Sequence, residues 1–207
     1  IIKSCSITSV SFFLAFLMED NDELIATKQN SWRQRLREFC YDSEHKKGHK
    51  RKELNVQDCF PYLVKWIVEW WNSDQLAIAL DATTLGLKFT VLAVSIVYRS
   101  CAIPVAWIVL KGNTKEAWKP HWLALFAHIK DSIPNDWFVL VVADRGLYAR
   151  WLYQAIVKNH WHPFLRINLG AKCRPAGKRT FRWLSQLVTE RGTHWSGRVT
   201  CFKTHPL

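Results

Sequence analysis

The stretch Leu76-Ala-Ile-Ala-Leu-Asp81 ends a run of apolar residues on a carboxylate, and Trp137-Phe-Val-Leu-Val-Val-Ala-Asp144 repeats this arrangement. Apolar runs of this length, bounded by polar residues, are typical of buried strands. A carboxylate at the end of a buried strand is costly to desolvate unless a cation or several donors hold it. A divalent metal ion bound by both Asp81 and Asp144 is the simplest shared explanation.

The composition predicts a folded chain with a polyanionic partner. Of its 207 residues, 49% are hydrophobic, and the formal net charge is +12. Such a charge favours DNA or RNA, although it does not separate these from an anionic membrane surface. The six cysteines form no C-x-x-C pair, which argues against a zinc site or a disulfide framework and favours a reducing cytoplasm. The apolar runs are too short for a membrane-spanning helix, so we predict none.

Residues 1–74 read as a helical N-terminal region. Apolar residues recur there at helical spacing, with two tryptophans that widen the stripe: Val56, Cys59, Phe60, Leu63, Val64, Ile67 and Trp71, then Trp66 and Trp70. The segment before them is basic, and it is either a solvated linker or a set of phosphate contacts. The candidate DNA-binding residues in it are Lys46, Lys47, Lys50, Arg51 and Lys52.

From residue 75 the pattern changes to an α/β order. Three apolar runs, 76–80, 87–98 and 102–110, are separated by the short turns 83–86 and 99–100 and predict an antiparallel meander. A helix capped by Asn113 and Thr114, a strand over 137–143, a helix directly after Asp144 and a strand over 162–168 follow. The order β-β-β-α-β-α-β is that of the ribonuclease-H-like fold, in which the first and fourth strands are neighbours and Asp81 would lie beside Asp144.

Simpler roles for these residues stay open. Asp144 could serve only as the N-cap of the following helix, and Asp81 could merely end a strand in a turn. Arg145 and Arg150 are candidate phosphate contacts if that helix presents its N-terminus to an anion, and Arg150 could equally be a solvated residue. The histidines at 121, 128, 160 and 162 lack metal-ligand spacing.

Residues 171–207 are strongly basic, with Glu190 as the single acid after Asp144. Arg179 and Arg182 are candidate DNA contacts in this tract. Trp183 and Trp195 could stack on an unpaired base, but tryptophans mostly report core packing. We expect Glu190 to be a surface residue.

Several blocks resemble the DDE transposases of bacterial insertion sequences, in the insertion-sequence-four branch. They are Arg33-Gln-Arg-Leu-Arg-Glu38, Leu80-Asp-Ala-Thr-Thr84, Val97-Tyr-Arg-Ser-Cys-Ala-Ile-Pro-Val-Ala-Trp107 and Ala143-Asp-Arg-Gly-Leu-Tyr-Ala-Arg-Trp151. The resemblance implies that Asp81 and Asp144 are the first two catalytic acids. They would bind Mg²⁺, for which Mn²⁺ can substitute, to cleave DNA at the element ends and transfer strands to target DNA. It also implies double-stranded DNA as partner, a homodimer in the DNA complex, no membrane association and a place in the bacterial cytoplasm at the nucleoid.

The family's third acid lies in a Tyr-x-x-Arg-x-x-x-Glu-x-x-x-x-x-x-Lys signature, and no tyrosine here is followed by arginine three residues on. We therefore expect a truncated transposase. Its parts would be a DNA-contacting region at 1–74, a ribonuclease-H-like catalytic core at 75–170 and the start of a basic β-rich insertion at 171–207. Two alternatives are a catalytically inactive DNA-binding remnant and a ribonuclease-H-like nuclease that hydrolyses without strand transfer.

Overall fold

The computed structural model describes residues 6–17, 25–46, 52–112, 118–190 and 192–202. Contacts along the chain divide it into two units, residues 1–56 and 57–207. In the first unit, helix α1 (Ile7–Leu17) packs against helix α2 (Ile25–Phe39), and a short 3₁₀ turn follows at Ser43–His45.

Helix α3 (Val56–Glu69) leads into the second unit. It buries Phe60 and Val64, and Leu63, Ile67 and Trp71 pack beside them on the core, as the helical spacing predicts. The prediction that Trp66 and Trp70 widen this stripe is wrong. Their exposures of 61% and 77% place them on the outer face, together with Tyr62 and Val56.

The second unit is built on a five-stranded mixed sheet of order β3-β2-β1-β4-β5. Its strands are β1 (Gln75–Leu85), β2 (Phe89–Tyr98), β3 (Cys101–Lys111), β4 (Phe138–Ala143) and β5 (His162–Leu165). The first three form an antiparallel meander, and β4 and β5 join β1 in parallel. This mixed α/β arrangement is compatible with the ribonuclease-H-like fold.

The first hairpin turn lies later in the chain than predicted, and the second lies where it was predicted. Strand β1 runs past Asp81 to Leu85, because Ala82–Leu85 continue to pair with β2, and Asp81 therefore lies inside the strand, opposite Ala93. The first turn is made by residues 86–88, with Gly86 at φ 59°, and not by residues 83–86. The second turn is at Arg99 and Ser100 as predicted, with φ of 46° and 66°, the two left-handed positions of a type I′ hairpin.

Helices α4 (Lys119–Ile129) and α5 (Arg150–Lys158) complete the core. Helix α4 buries Trp122 and Phe126, and α5 buries Leu152 and Ile156. The cap predicted at Asn113 and Thr114 lies outside the described residues, and Trp118 precedes the first residue of α4. Strand β5 ends at Leu165, earlier than predicted.

Beyond β5, three short strands form a separate antiparallel sheet of order β7-β6-β8. They are β6 (Lys172–Pro175), β7 (Arg182–Trp183) and β8 (Val199–Thr200). Among the helices in the described ranges, none has the length and apolar character needed to cross a bilayer.

Candidate metal centre

The parallel register of β1 and β4 extends to the residues that directly precede Asp81 and Asp144. Leu80 is paired with Ala143, the last residue of β4, and an aspartate follows each of them in sequence. Neighbouring strands lie about 4.8 Å apart, and residues at matching positions point to the same side of a sheet. The register therefore brings the residues before Asp81 and Asp144, which are remote in sequence, next to each other.

Each carboxylate is exposed and is oriented by one hydrogen bond from a residue close in sequence. Thr83 Oγ1 donates to Asp81 Oδ2, and the backbone N–H of Arg145 donates to Asp144 Oδ1. Asp144 is indeed an N-cap, but of the short 3₁₀ turn Arg145–Leu147. Since an ionised carboxylate has roughly four acceptor positions, one hydrogen bond leaves room for a cation.

The donor set of this pair fits Mg²⁺ or Mn²⁺. Both ligands are hard carboxylate oxygens, and Mg²⁺ is usually held by one or two carboxylates together with waters or substrate phosphates. No third His, Cys, Asp or Glu forms a three-ligand group with the pair in the part of the chain that the structure describes. Glu190 is exposed, and its carbonyl accepts from Thr193.

A different acidic group, which no sequence pattern indicated, lies in the first unit. Ligand atoms of Asp42, Glu44 and His45 lie within 4.8 Å of one another, and all three residues are exposed. His45 Nδ1 is 3.8 Å from Glu44 Oε1 and 4.0 Å from Asp42 Oδ2. Because the three residues lie within four positions of one another around a surface turn, their closeness in sequence accounts for the cluster.

The arginines near Asp144 have unequal access to a ligand. Arg145 is exposed, but it lies in the 3₁₀ turn, and the helix predicted directly after Asp144 begins only at Arg150. The argument that a helix N-terminus supports Arg145 is therefore wrong. Arg150 is half-buried, its Nη1 donates to Gln154 Oε1 at 3.5 Å, and its buried Nε has no hydrogen-bond partner among the described residues.

The remaining candidate DNA contacts are distributed over both units. Arg179 and Arg182 are exposed, as is Lys52, whose carbonyl accepts from Lys46 Nζ at 2.7 Å. Lys47, Lys50 and Arg51 lie outside the described residues.

Trp183 and Trp195 are accessible. They are 43% and 41% exposed, so they are not core residues. Lys172 Nζ lies 4.0 Å from the centroid of the Trp183 ring, a cation–π contact that occupies one face of the indole.

Tyr148, four residues after Asp144, is a feature that the sequence did not reveal. Its ring stacks on Phe202 with centroids 4.9 Å apart, and both side chains line a cavity of about 320 Å³ with Cys201. Burial and a hydrogen bond with the Cys201 thiol raise the pKa of the Tyr148 hydroxyl. No sequence signal could have linked Tyr148 to residues 201 and 202, because the contact depends on the fold of the small sheet.

Comparisons with known proteins leave the family of this chain open. No family model matches it, and no curated protein matches it. A solved structure to which it is similar is that of the Mos1 strand transfer complex, at 12% sequence identity and a TM-score of 0.30. The match covers 81% of this chain and 60% of that chain. A likeness at this level carries no argument about fold or function.

Proposed function

We propose that this chain is part of a DNA transposase that uses Asp81 and Asp144 to bind Mg²⁺, with Mn²⁺ as a substitute. The observation that supports the proposal is the parallel register of β1 and β4, which pairs the residues directly before the two aspartates. The strong positive charge of the chain supports DNA as the partner. The blocks around both aspartates resemble those of DDE transposases of the insertion-sequence-four branch, which supports cleavage and strand transfer as the reaction.

The bound metal would activate a water or a 3′-hydroxyl and stabilise the leaving oxygen of the phosphodiester. The residues of the chain would hold the metal and orient it towards the DNA. Asp81, held by Thr83, and Asp144, held by the N–H of Arg145, would present their remaining oxygens to one metal ion. Both carboxylates are exposed, so a DNA strand can reach them. The exposed Arg145 guanidinium lies next in sequence, where it can attract the phosphate that the carboxylates would otherwise repel.

We also propose the roles of the regions. Residues 1–74 and 171–207 would contact the DNA backbone, and residues 75–170 would form the catalytic core. The exposed Tyr62 and Trp66 on α3, with Trp70 directly after it, support a homodimer on paired DNA ends, because clustered exposed aromatic residues are typical of protein interfaces. The bacterial cytoplasm, at the nucleoid, would be the location.

A second candidate function is DNA binding without chemistry. It is favoured by the lack, among the described residues, of a third ligand beside Asp81 and Asp144. A nuclease that hydrolyses without strand transfer would use the same two acids.

Metal dependence of DNA binding separates the two functions. We expect Mn²⁺ to strengthen binding of the 207-residue chain to a fluorescent duplex, because a metal between carboxylates and phosphate removes their repulsion. Asp81→Asn and Asp144→Asn should abolish this increase, whereas Asp136→Asn, a matched exposed aspartate before β4, should retain it. Binding that is indifferent to Mn²⁺ in the unchanged chain would favour the DNA-binding remnant and overturn the metal-dependent proposal.

A further inference from the structure

We propose that Cys173 and Cys201 form a redox-active dithiol that closes to a disulfide across the small sheet. Both thiols are free in this structure. Strands β6 and β8 are antiparallel, with Arg174 paired to Thr200 and Pro175 paired to Val199. One step further along the same register, Cys173 lies opposite Cys201.

The hydrogen-bond pattern shows which kind of pair this is. The N–H of Ala176 donates to the carbonyl of Arg198 at 2.9 Å, which marks 176 and 198 as a hydrogen-bonded pair. Hydrogen-bonded and non-hydrogen-bonded pairs alternate along an antiparallel ladder, so 173 and 201 form a non-hydrogen-bonded pair. The Cα atoms of such a pair are about 4.5 Å apart, within the roughly 4.4–6.8 Å range of disulfides. The two cysteines can therefore be bridged without moving either strand far.

The two thiols differ in access, which sets the order of the reaction. Cys201 is half-buried and lines the cavity of about 320 Å³, so a hydroperoxide can reach it. Cys173 is only 2% exposed, and its burial together with the nearby Cys201 raises the pKa of its thiol. Cys201 is thus the thiol that meets the oxidant, and Cys173 is the resolving thiol.

The steps balance with hydrogen peroxide as the oxidant. The Cys201 thiol loses its proton, and the thiolate attacks one peroxide oxygen. The O–O bond breaks, sulfenic acid forms, and the hydroxide that leaves takes up the released proton as water. The Cys173 sulfur then attacks the Cys201 sulfur, the S–O bond breaks, and the hydroxyl leaves as a second water with the Cys173 proton. Two electrons pass from the thiol pair to the peroxide, and a dithiol reductant returns them.

Closure of this disulfide would also change the surroundings of Tyr148. Oxidation converts the Cys201 thiol, a hydrogen-bond partner of Tyr148, to a disulfide sulfur that has no proton to donate, and the stacking partner Phe202 follows Cys201 directly in the chain. The dithiol therefore links the redox state of the small sheet to the loop that begins at Asp144.

Peptide mapping of the intact chain tests the proposal. The reduced protein is treated with stoichiometric hydrogen peroxide, its remaining thiols are alkylated, and it is digested with trypsin without reductant. We expect a linked species of peptides 173–178 and 199–203, lighter by two hydrogens than their sum and separated by dithiothreitol. Cys201→Ser should lose it, and Cys101→Ser, which changes an exposed cysteine of β3, should retain it.

Circular dichroism of both variants shows whether they fold, and the unchanged chain alone carries the decisive result. Oxidation of Cys201 to sulfinic acid without linkage would overturn the proposal. So would disulfides that join Cys40, Cys59 or Cys101 as often as they join Cys173 and Cys201.

Discussion

The alignment of Asp81 with Asp144 depends on the register of β1 and β4, and a double-mutant cycle can test that register. Ile78 and Val141 are paired across these strands, and both are fully buried in the core. Ile78→Ala removes three carbons and Val141→Ala removes two. At about 0.8 kcal/mol per buried methylene, the transfer terms alone are roughly 2.4 and 1.6 kcal/mol.

Cavity formation increases these losses, and Ile→Ala substitutions in cores cost about 2–5 kcal/mol in total. Ile78 and Val141 are neighbours across the two strands. The free energy of unfolding that the double variant loses should therefore differ from the sum of the two single losses. We expect a coupling energy of about 0.5–3 kcal/mol, as for other residues in contact. Urea unfolding, followed by tryptophan fluorescence and extrapolated to water, measures each term.

A control cycle combines Ile78→Ala with Leu110→Ala. Leu110 lies on β3, two strands from β1, and pairs with Thr90, far along the sheet from Ile78. These two losses should add within about 0.3–0.5 kcal/mol. Additivity of Ile78 and Val141 to the same degree would refute the register, and the placement of Asp81 beside Asp144 with it.

Three further predictions follow from local features. Ser100→Gly should raise the free energy of unfolding by about 1 kcal/mol in urea titrations, because the left-handed φ of Ser100 strains a non-glycine residue; an unchanged stability would contradict this. The raised pKa of Tyr148 means that above pH 10 the unfolded chain loses its proton before the folded chain, so stability should fall with rising pH, less steeply in Tyr148→Phe; equal slopes would contradict it. Arg182→Gln should reduce the slope of log K against log salt for duplex DNA by about 0.9, and an unchanged slope would exclude Arg182 as a phosphate contact.

The strand order was predictable because charged residues and turn residues in the sequence mark where several strands end. The apolar run 137–143 is ended by the charged Asp144. The turn at Arg99 and Ser100 separates two runs that are rich in β-branched residues. Short connections then allow only an antiparallel meander, whereas the strands that follow helices require parallel crossovers. Strands β1 and β4 are parallel neighbours, as that order predicts.

Details that depend on tertiary contacts were not predictable. The strand through Asp81 continues because β2 offers partners for Ala82–Leu85, although those residues alternate too weakly to predict a strand. Trp66 and Trp70 are large apolar residues of the kind expected in a core. They are exposed because Leu63, Ile67 and Trp71 pack on the core instead. The pairing of Cys173 with Cys201 depends on a register between segments 28 positions apart, for which sequence spacing gives no signal.

The most direct test of the central claim is Mn²⁺ binding to the intact chain without DNA, measured by electron paramagnetic resonance. We predict binding that weakens by at least about tenfold in both Asp81→Asn and Asp144→Asn, since each change removes one of the two carboxylate ligands. Asp136→Asn should bind Mn²⁺ as the unchanged chain does. Equal Mn²⁺ affinity in all four proteins would contradict the assignment of Asp81 and Asp144 as a metal centre.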